Sequence, residues 1–170
     1  MDKQEIIYKL SNDSLVKCTF YDAGGSIRIR TANEHYIKKS QGFIVVFDLT
    51  NKNSFEEVRD YFIPKIRELC GLDAPVMIIG NKKDMKHLRE VNYDEVEELA
   101  MEYGYYYYET SCIDNYNLHE IFGTIVEQTY NFAEKNNLQV IRNDTFSLNN
   151  NRNNNFNGHR NGRGKCLTCC

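Results

Sequence analysis

The apolar and polar positions of this chain alternate between two periods. Glu5–Leu10 and Leu15–Tyr21 are short apolar runs joined by Ser11-Asn12-Asp13, which reads as a hairpin. Phe43–Leu49 (FIVVFDL) is β-branched and almost continuously apolar, and Pro75–Gly80 (PVMIIG) and Tyr105–Glu109 (YYYYE) are similar. Such runs suit strands covered on both faces, as in parallel sheets. Helical spacing lies between them. Phe55, Val58, Phe62 and Ile66 fall at i, i+3/i+4 positions in a helix that opens at Asn53 and runs to the region of Cys70. Val96, Leu99, Ala100 and Tyr103 mark a second helix over Tyr93–Tyr103. Ile121, Phe122, Ile125, Val126 and Thr129 mark a third over Leu118–Ala133. Strand–helix alternation behind an initial hairpin predicts an α/β fold with an open, mostly parallel sheet and flanking helices.

Open sheets of this class bind ligands outside the carboxyl ends of their strands. Asp22 follows the second run in YDAGG, and Asp48 and Thr50 follow FIVVF. Asn81-Lys82-Lys83-Asp84 follows VMIIG, and Thr110-Ser111-Cys112 follows YYYYE. Consecutive strand ends thus carry small or polar groups, which points to one binding edge. Asn81-Lys82-x-Asp84 has the sharpest chemistry. A carboxylate at a strand end can accept parallel N–H bonds from guanine N1–H and its 2-amino group, a pair that adenine does not offer. The Lys82 stem can lie across a purine face, and Asn81 can tie neighbouring loops together. Taken alone, N-K-x-D is equally a solvated turn; its place directly after an apolar strand favours binding. In Tyr21-Asp22-Ala23-Gly24-Gly25, the Asp can hold Mg²⁺ through water and Gly25 can bring its N–H to a γ-phosphate. A Gly-Gly turn is the plain alternative there.

Composition bounds the class. The chain has 170 residues, 41% of them hydrophobic, with two Pro and no Trp. That supports one core and excludes collagen-like or Pro-rich chains. No run reaches the length of a membrane span, and the N-terminus has no signal-like apolar region, so the expected compartment is the cytosol. Charge is uneven. Residues 142–170 carry a net +4 and residues 1–141 a net −7. A basic tail on an acidic body argues against nucleic acid and for an anionic membrane surface. Cys18, Cys70 and Cys112 sit in apolar segments and read as small buried hydrophobes in a reducing compartment. Cys166, Cys169 and Cys170 crowd the end; Cys166-x-x-Cys169 has a zinc-like spacing but no second pair.

At this point the stretches YDAGGSIRIRT, QGFIVVFDLTNKNSFEEV, VMIIGNKKD, YYYYETSC and LHEIF, in that order, resemble the small GTPases, and among them the Rab family of membrane-traffic switches. The resemblance covers residues 5–135. It implies a guanine-nucleotide-binding protein using GTP or GDP with Mg²⁺. Asn81, Lys82, Asp84, Ser111 and Cys112 would then lie at the base, and Asp22 and Gly25 on the Mg²⁺ and γ-phosphate side. Departures are equally plain. The first strand, the phosphate-binding loop G-x-x-x-x-G-K-S/T and the first helix of Rab-like proteins are absent from the residues given; Gly164-Lys165 is the lone Gly-Lys pair and does not fit that loop. Ser26 stands where the family has the Gln that orients the attacking water, so hydrolysis is expected to be slow and no residue is assigned as catalytic. The missing strand would lie between the strand ending at Asp22 and the strand at Phe43–Leu49. Without it, those two are expected to pair directly or to leave open edges inside the sheet.

The expected organisation is an incomplete Rab-like domain over 1–141 and a disordered Asn/Arg-rich tail over 142–170. The terminal Cys169-Cys170 resembles the Rab ending that receives two geranylgeranyl groups, and two lipids hold a membrane stably where one does not. The resemblance implies Rab-type effectors and regulators, work in vesicle traffic, and a lipid-anchored place on the cytosolic face of endomembranes or the plasma membrane. The alternative is a prenylated pseudo-GTPase or interaction module, or a truncated gene product, that neither binds nor hydrolyses GTP.

Overall fold

The computed structural model describes residues 2–24, 30–138 and 166–169. Its strands are β1 (Asp2–Lys9), β2 (Leu15–Asp22), β3 (Ser40–Asp48), β4 (Val76–Asn81), β5 (Tyr106–Glu109) and β6 (Cys166–Cys169). Helices are α1 (Arg30–Ile37), α2 (Lys52–Glu57), α3 (Ile63–Cys70), α4 (Tyr93–Tyr103) and α5 (Leu118–Lys135). The expected α/β architecture with a mostly parallel sheet is observed. β1 and β2 form the antiparallel hairpin, with Asp13 at φ 66° in its turn and Asn12 Oδ1 accepting from Ser14 N at 3.0 Å. Asx side chains favour this left-handed turn.

The sheet order is β1-β2-β6-β3-β4-β5. β2 and β3 do not pair directly, which corrects one half of that expectation; among the described residues the gap-side edges stay unpaired at Leu15–Cys18 of β2 and Val45–Asp48 of β3. Cys166–Cys169 lies between them, parallel to both. Those residues are therefore a strand rather than part of a disordered tail. The rest of the proposed tail, residues 142–165 and Cys170, lies outside the described residues.

Two cores flank the sheet. On one face Phe43, Val45 and Phe47 of β3 and Val76 and Ile78 of β4 meet Phe55, Ile63, Ile66, Val96 and Leu99 of the helices. On the other, Ile44, Met77 and Ile79 meet Ile121, Ile125 and Val126 of α5, with Val16 and Cys18 of β2. This two-sided cover is why β3 and β4 read as continuous apolar runs. YYYYE does not fit that rule: β5 is the edge strand, and Tyr106 is half exposed.

The single helical run expected between Asn53 and Cys70 has a defect with a cause. A π-helical turn, Val58–Phe62, joins α2 to α3, and Ile63 N bonds Val58 O. Pro64 has no N–H and its ring clashes with a straight continuation, so the extra residue per turn relieves both problems. Asn51 caps α2 by accepting from Ser54 N, and Gly104, at φ 70°, ends α4 in the left-handed conformation that glycine adopts without strain.

Candidate functional site

β2, β6, β3, β4 and β5 run parallel, so their carboxyl ends share one edge. Asp22, Cys169, Asp48, Asn81 and Glu109 are the last residues of those strands. Two loops leaving β4 and β5 are fastened together there. Thr110 N donates to Gly80 O at 2.8 Å, and Lys83 N donates to Thr110 O at 2.9 Å. The side chains repeat the pattern. Thr110 Oγ1 donates to Asn81 Oδ1 at 3.3 Å, and Cys112 Sγ lies 3.5 Å from the same oxygen. Ser111 Oγ donates to Asp84 Oδ1 at 2.8 Å and accepts from Asp114 N at 3.2 Å. Short side chains immediately after a strand can make such bonds because the strand fixes where they begin.

Lys82 takes φ 67°, and its ammonium lies 2.6 Å from Asp48 Oδ2. Asp48 Oδ1 accepts from Thr50 N at 2.8 Å and from Thr50 Oγ1 at 2.7 Å. Burial works to raise the Asp48 carboxyl, but the Lys82 and Thr50 hydrogen bonds and the Lys82 charge together hold it below its ordinary 3.8.

Behind the loops lies a buried anchor. Both Glu109 oxygens accept from the Arg89 guanidinium at 2.8 Å, and Tyr107 OH donates to Oε1 at 2.9 Å. Lys83 Nζ lies 3.5 Å away, and the Glu109 side chain is 6% exposed. Burial works to raise this carboxyl too; the Arg89 and Tyr107 bonds and the Arg89 and Lys83 charges outweigh it and hold it below 4.5. Burial beside Glu109 pushes the Tyr107 hydroxyl well above its usual range, so it serves as a donor. Lys83 also lies over the Tyr116 ring at 4.6 Å.

Asn81, Lys82, Asp84, Ser111 and Cys112 are thus brought into one cluster. Asp22 is not among them. β6 and β3 separate β2 from β4 by three strand spacings, roughly 14 Å across the sheet, and the register leaves Asp22 level with Met77, roughly 13 Å short of Asn81 along the strands, so the two stand about 20 Å apart. Through Cys169, Asp22 is in register with Ile44, short of Asp48 at the end of β3. Gly25, Ser26 and Cys170 lie outside the described residues, and Cys169 is placed by its backbone in β6. Cys112 is exposed, not buried as expected from its segment. Cys18 is buried and Cys70 half-buried, and burial pushes both thiols up to about 11.

Sequence reasoning missed two parts of this edge. Asp48 had been noted as a strand end, but its pairing with Lys82 follows from the β3–β4 register, which sets Asp48 beside Asn81. The Arg89–Glu109 pair had a faint signal: an acid closing an apolar run needs a cation if that run is buried. Among the described residues no group of three or more His, Cys, Asp or Glu can hold a metal.

A family model described as "Ras family" matches residues 2–131. The chain belongs to the Ras family of small GTPases. Its relatives place it on the Rab branch of that family. Over 110 residues it is 36% identical to Ras-related protein Rab-8A of Pongo abelii, covering 65% of this chain and 53% of that protein. Over 115 residues it is 36% identical to Ras-related protein Rab-3 of Caenorhabditis elegans, covering 68% and 52%. Ras-related protein RABA6a of Arabidopsis thaliana is 30% identical over 110 residues, covering 65% and 47%. The chain spans about half the length of the curated relatives it matches. In this Ras-family chain no helix among the described residues is long and apolar enough to cross a membrane.

Proposed function

We propose that this Rab-family chain binds a guanine nucleotide at the strand-end edge. Asp84 accepts from guanine N1–H and the 2-amino group, the Lys82 stem covers the purine, and Asn81 holds the two loops together. Ser111 and Cys112 border the base. Asp22 and Gly25 serve the far end of the ligand, Asp22 meeting Mg²⁺ through water. Mg²⁺ supplies charge neutralisation of the phosphates when bound.

The observation that carries this reading is the Ser111–Asp84 bond at 2.8 Å. It fixes Asp84 on Oδ1 while the remaining acceptor positions of the carboxylate stay available to two N–H donors. Residues 1–141 form the nucleotide-binding part and 142–165 a tail leading to Cys166–Cys170, where Cys169 and Cys170 carry geranylgeranyl groups. Two lipids beside a basic tail hold the protein on anionic cytosolic membrane surfaces, where Rab-type effectors and regulators in vesicle traffic would meet it.

A prenylated module without nucleotide is the competing reading, and one observation favours it. Lys82 is already satisfied by Asp48 at 2.6 Å without any ligand. Fluorescent GDP titrated into the purified 170-residue chain, with excess ATP present, separates the two. Saturable binding displaced by GTP but not ATP is expected. A folded chain that binds no GDP would make it a pseudo-GTPase.

A further inference from the structure

Lys82 is held at both ends. Its backbone lies in the left-handed region, at φ 67°, which a lysine adopts only under constraint. The constraint is on either side of it. Leu49 N donates to Asn81 O at 3.0 Å, Lys83 N to Thr110 O at 2.9 Å, and Met85 N to Lys82 O at 3.0 Å. At the far end of the side chain the ammonium meets Asp48 Oδ2 at 2.6 Å. Asp48 is itself fixed. Thr50 N and Thr50 Oγ1 both donate to its Oδ1, at 2.8 and 2.7 Å. Ser54 Oγ accepts from Asp48 N at 3.0 Å, and Asn51 N donates to Asp48 O at 3.0 Å. The turn leading into α2 thus holds the carboxylate, and the carboxylate holds the lysine. As a contact for folding the pair is weak. The Lys82 side chain is 48% exposed and that of Asp48 24%, and an ion pair so open to water contributes little to stability. A strained backbone beside a weak ion pair favours a role in binding, and what the two fixed ends leave in place between them is the lysine stem.

We propose that Asp48, held in turn by Thr50, is a positioning residue of the guanine site: it draws the Lys82 ammonium aside and so presets the lysine stem along the purine face. The proposal rests on the guanine reading of this edge. A lysine stem packed against a ligand gives up rotamer freedom, and a tether that has already removed that freedom leaves less to lose on binding. The tether also decides which part of Lys82 acts. With its charge met by Asp48, the residue works on the base through its methylenes, which are apolar, and not on the phosphates through its ammonium. Asp48 contributes without touching the nucleotide.

The test uses the full 170-residue chain and Asp48→Asn. Asn keeps an acceptor for the Thr50 donors and turns its NH₂ group toward Lys82, so the turn holds and the tether goes. Without nucleotide, the tether is read from the rate at which dilute acetic anhydride acetylates Lys82, resolved by peptide mass. Slower acetylation in the wild type than in Asp48→Asn is expected, and equal rates would overturn the proposal. With GDP, the readout is NMR of the ¹³C-lysine-labelled chain, the Lys82 signals being those absent from Lys82→Met. Stem protons lying over a purine ring shift upfield on binding. In Asp48→Asn that shift is expected to shrink and GDP affinity to fall about tenfold, with the melting temperature nearly unchanged. Asp48→Asn added to Lys82→Met is expected to cost no further affinity, since both act through one contact. A wild-type chain that binds GDP with no upfield shift would overturn the proposal. So would an Asp48→Asn chain that keeps the full shift, whatever its affinity, or additive losses in the double variant. A folded wild-type chain with slow Lys82 acetylation and no GDP binding would instead overturn the guanine reading, and the positioning role with it.

Discussion

Glu109 and Asp84 are both acids following a strand, and burial divides their roles. Glu109 is enclosed, and its charge is met by Arg89, Tyr107 and Lys83, so it anchors. Asp84 is exposed and bonded through one oxygen to Ser111, so it is poised to accept. Removing Arg89 from the anchor takes away the bidentate partner of a buried carboxylate and leaves only the Tyr107 hydrogen bond and the more distant Lys83. Arg89→Leu is therefore expected to cost about 2–4 kcal/mol in urea unfolding, far more than an exposed ion pair such as Arg59–Asp60 contributes. The pH dependence follows the sign of the shift. Glu109 is held below 4.5 in the folded chain, so its stabilisation is present above that value and is lost as pH falls through the folded value. Glu109→Gln should flatten the acid limb of the melting-temperature profile, and an unchanged limb would contradict the anchor. Neither partner choice was legible from residue types alone, because Arg89 and Glu109 meet only after the chain has passed through α4 and β5.

At the scale of elements, legibility follows local pattern. β3, β4, α4 and α5 were readable because each carries its own apolar run or stripe, and each lies against one of the two cores. α1 was not, since RTANEHYI offers little apolar periodicity, and among its described side chains only Ile37 is placed in the core. β6 was invisible for a different reason: four residues carry no period, and its partners lie far away in sequence. The π-turn was equally hidden, although Pro64 supplied its cause. β4 shows how tightly an element that positions the site is packed. A Cβ on Gly80 would stand 2.8 Å from Leu49 Cδ2. Gly80→Ala is expected to destabilise by about 1–3 kcal/mol by overpacking, and Ile78→Ala by about 2–5 kcal/mol by leaving a cavity, both read as shifts in urea midpoint. The larger loss should come from Ile78, which is fully buried between the sheet and its helices.

For the whole molecule, the binding edge was legible before the sheet was complete. Parallel strands must present their carboxyl ends together, so polar residues after Tyr21, Phe47, Gly80 and Glu109 had to share one side. The gap between β2 and β3 was implied by the family resemblance; what neither pattern nor resemblance supplied was β6 within it, and the register that sets the distance of Asp22 from the base cluster. Charge belongs to this scale too. The body carries −7 and residues 142–170 carry +4, so attraction of the unlipidated chain to anionic vesicles should be weak and lost between about 0.05 and 0.5 M salt, measured by co-sedimentation. The most direct measurement of the central claim compares the wild-type chain with Asp84→Asn in a GDP titration, with melting curves run in parallel. Asn keeps an acceptor for Ser111 but replaces the carboxylate that meets guanine. The account predicts GDP affinity reduced by about 100-fold with the melting temperature nearly unchanged. Equal affinity in the two folded chains would contradict it.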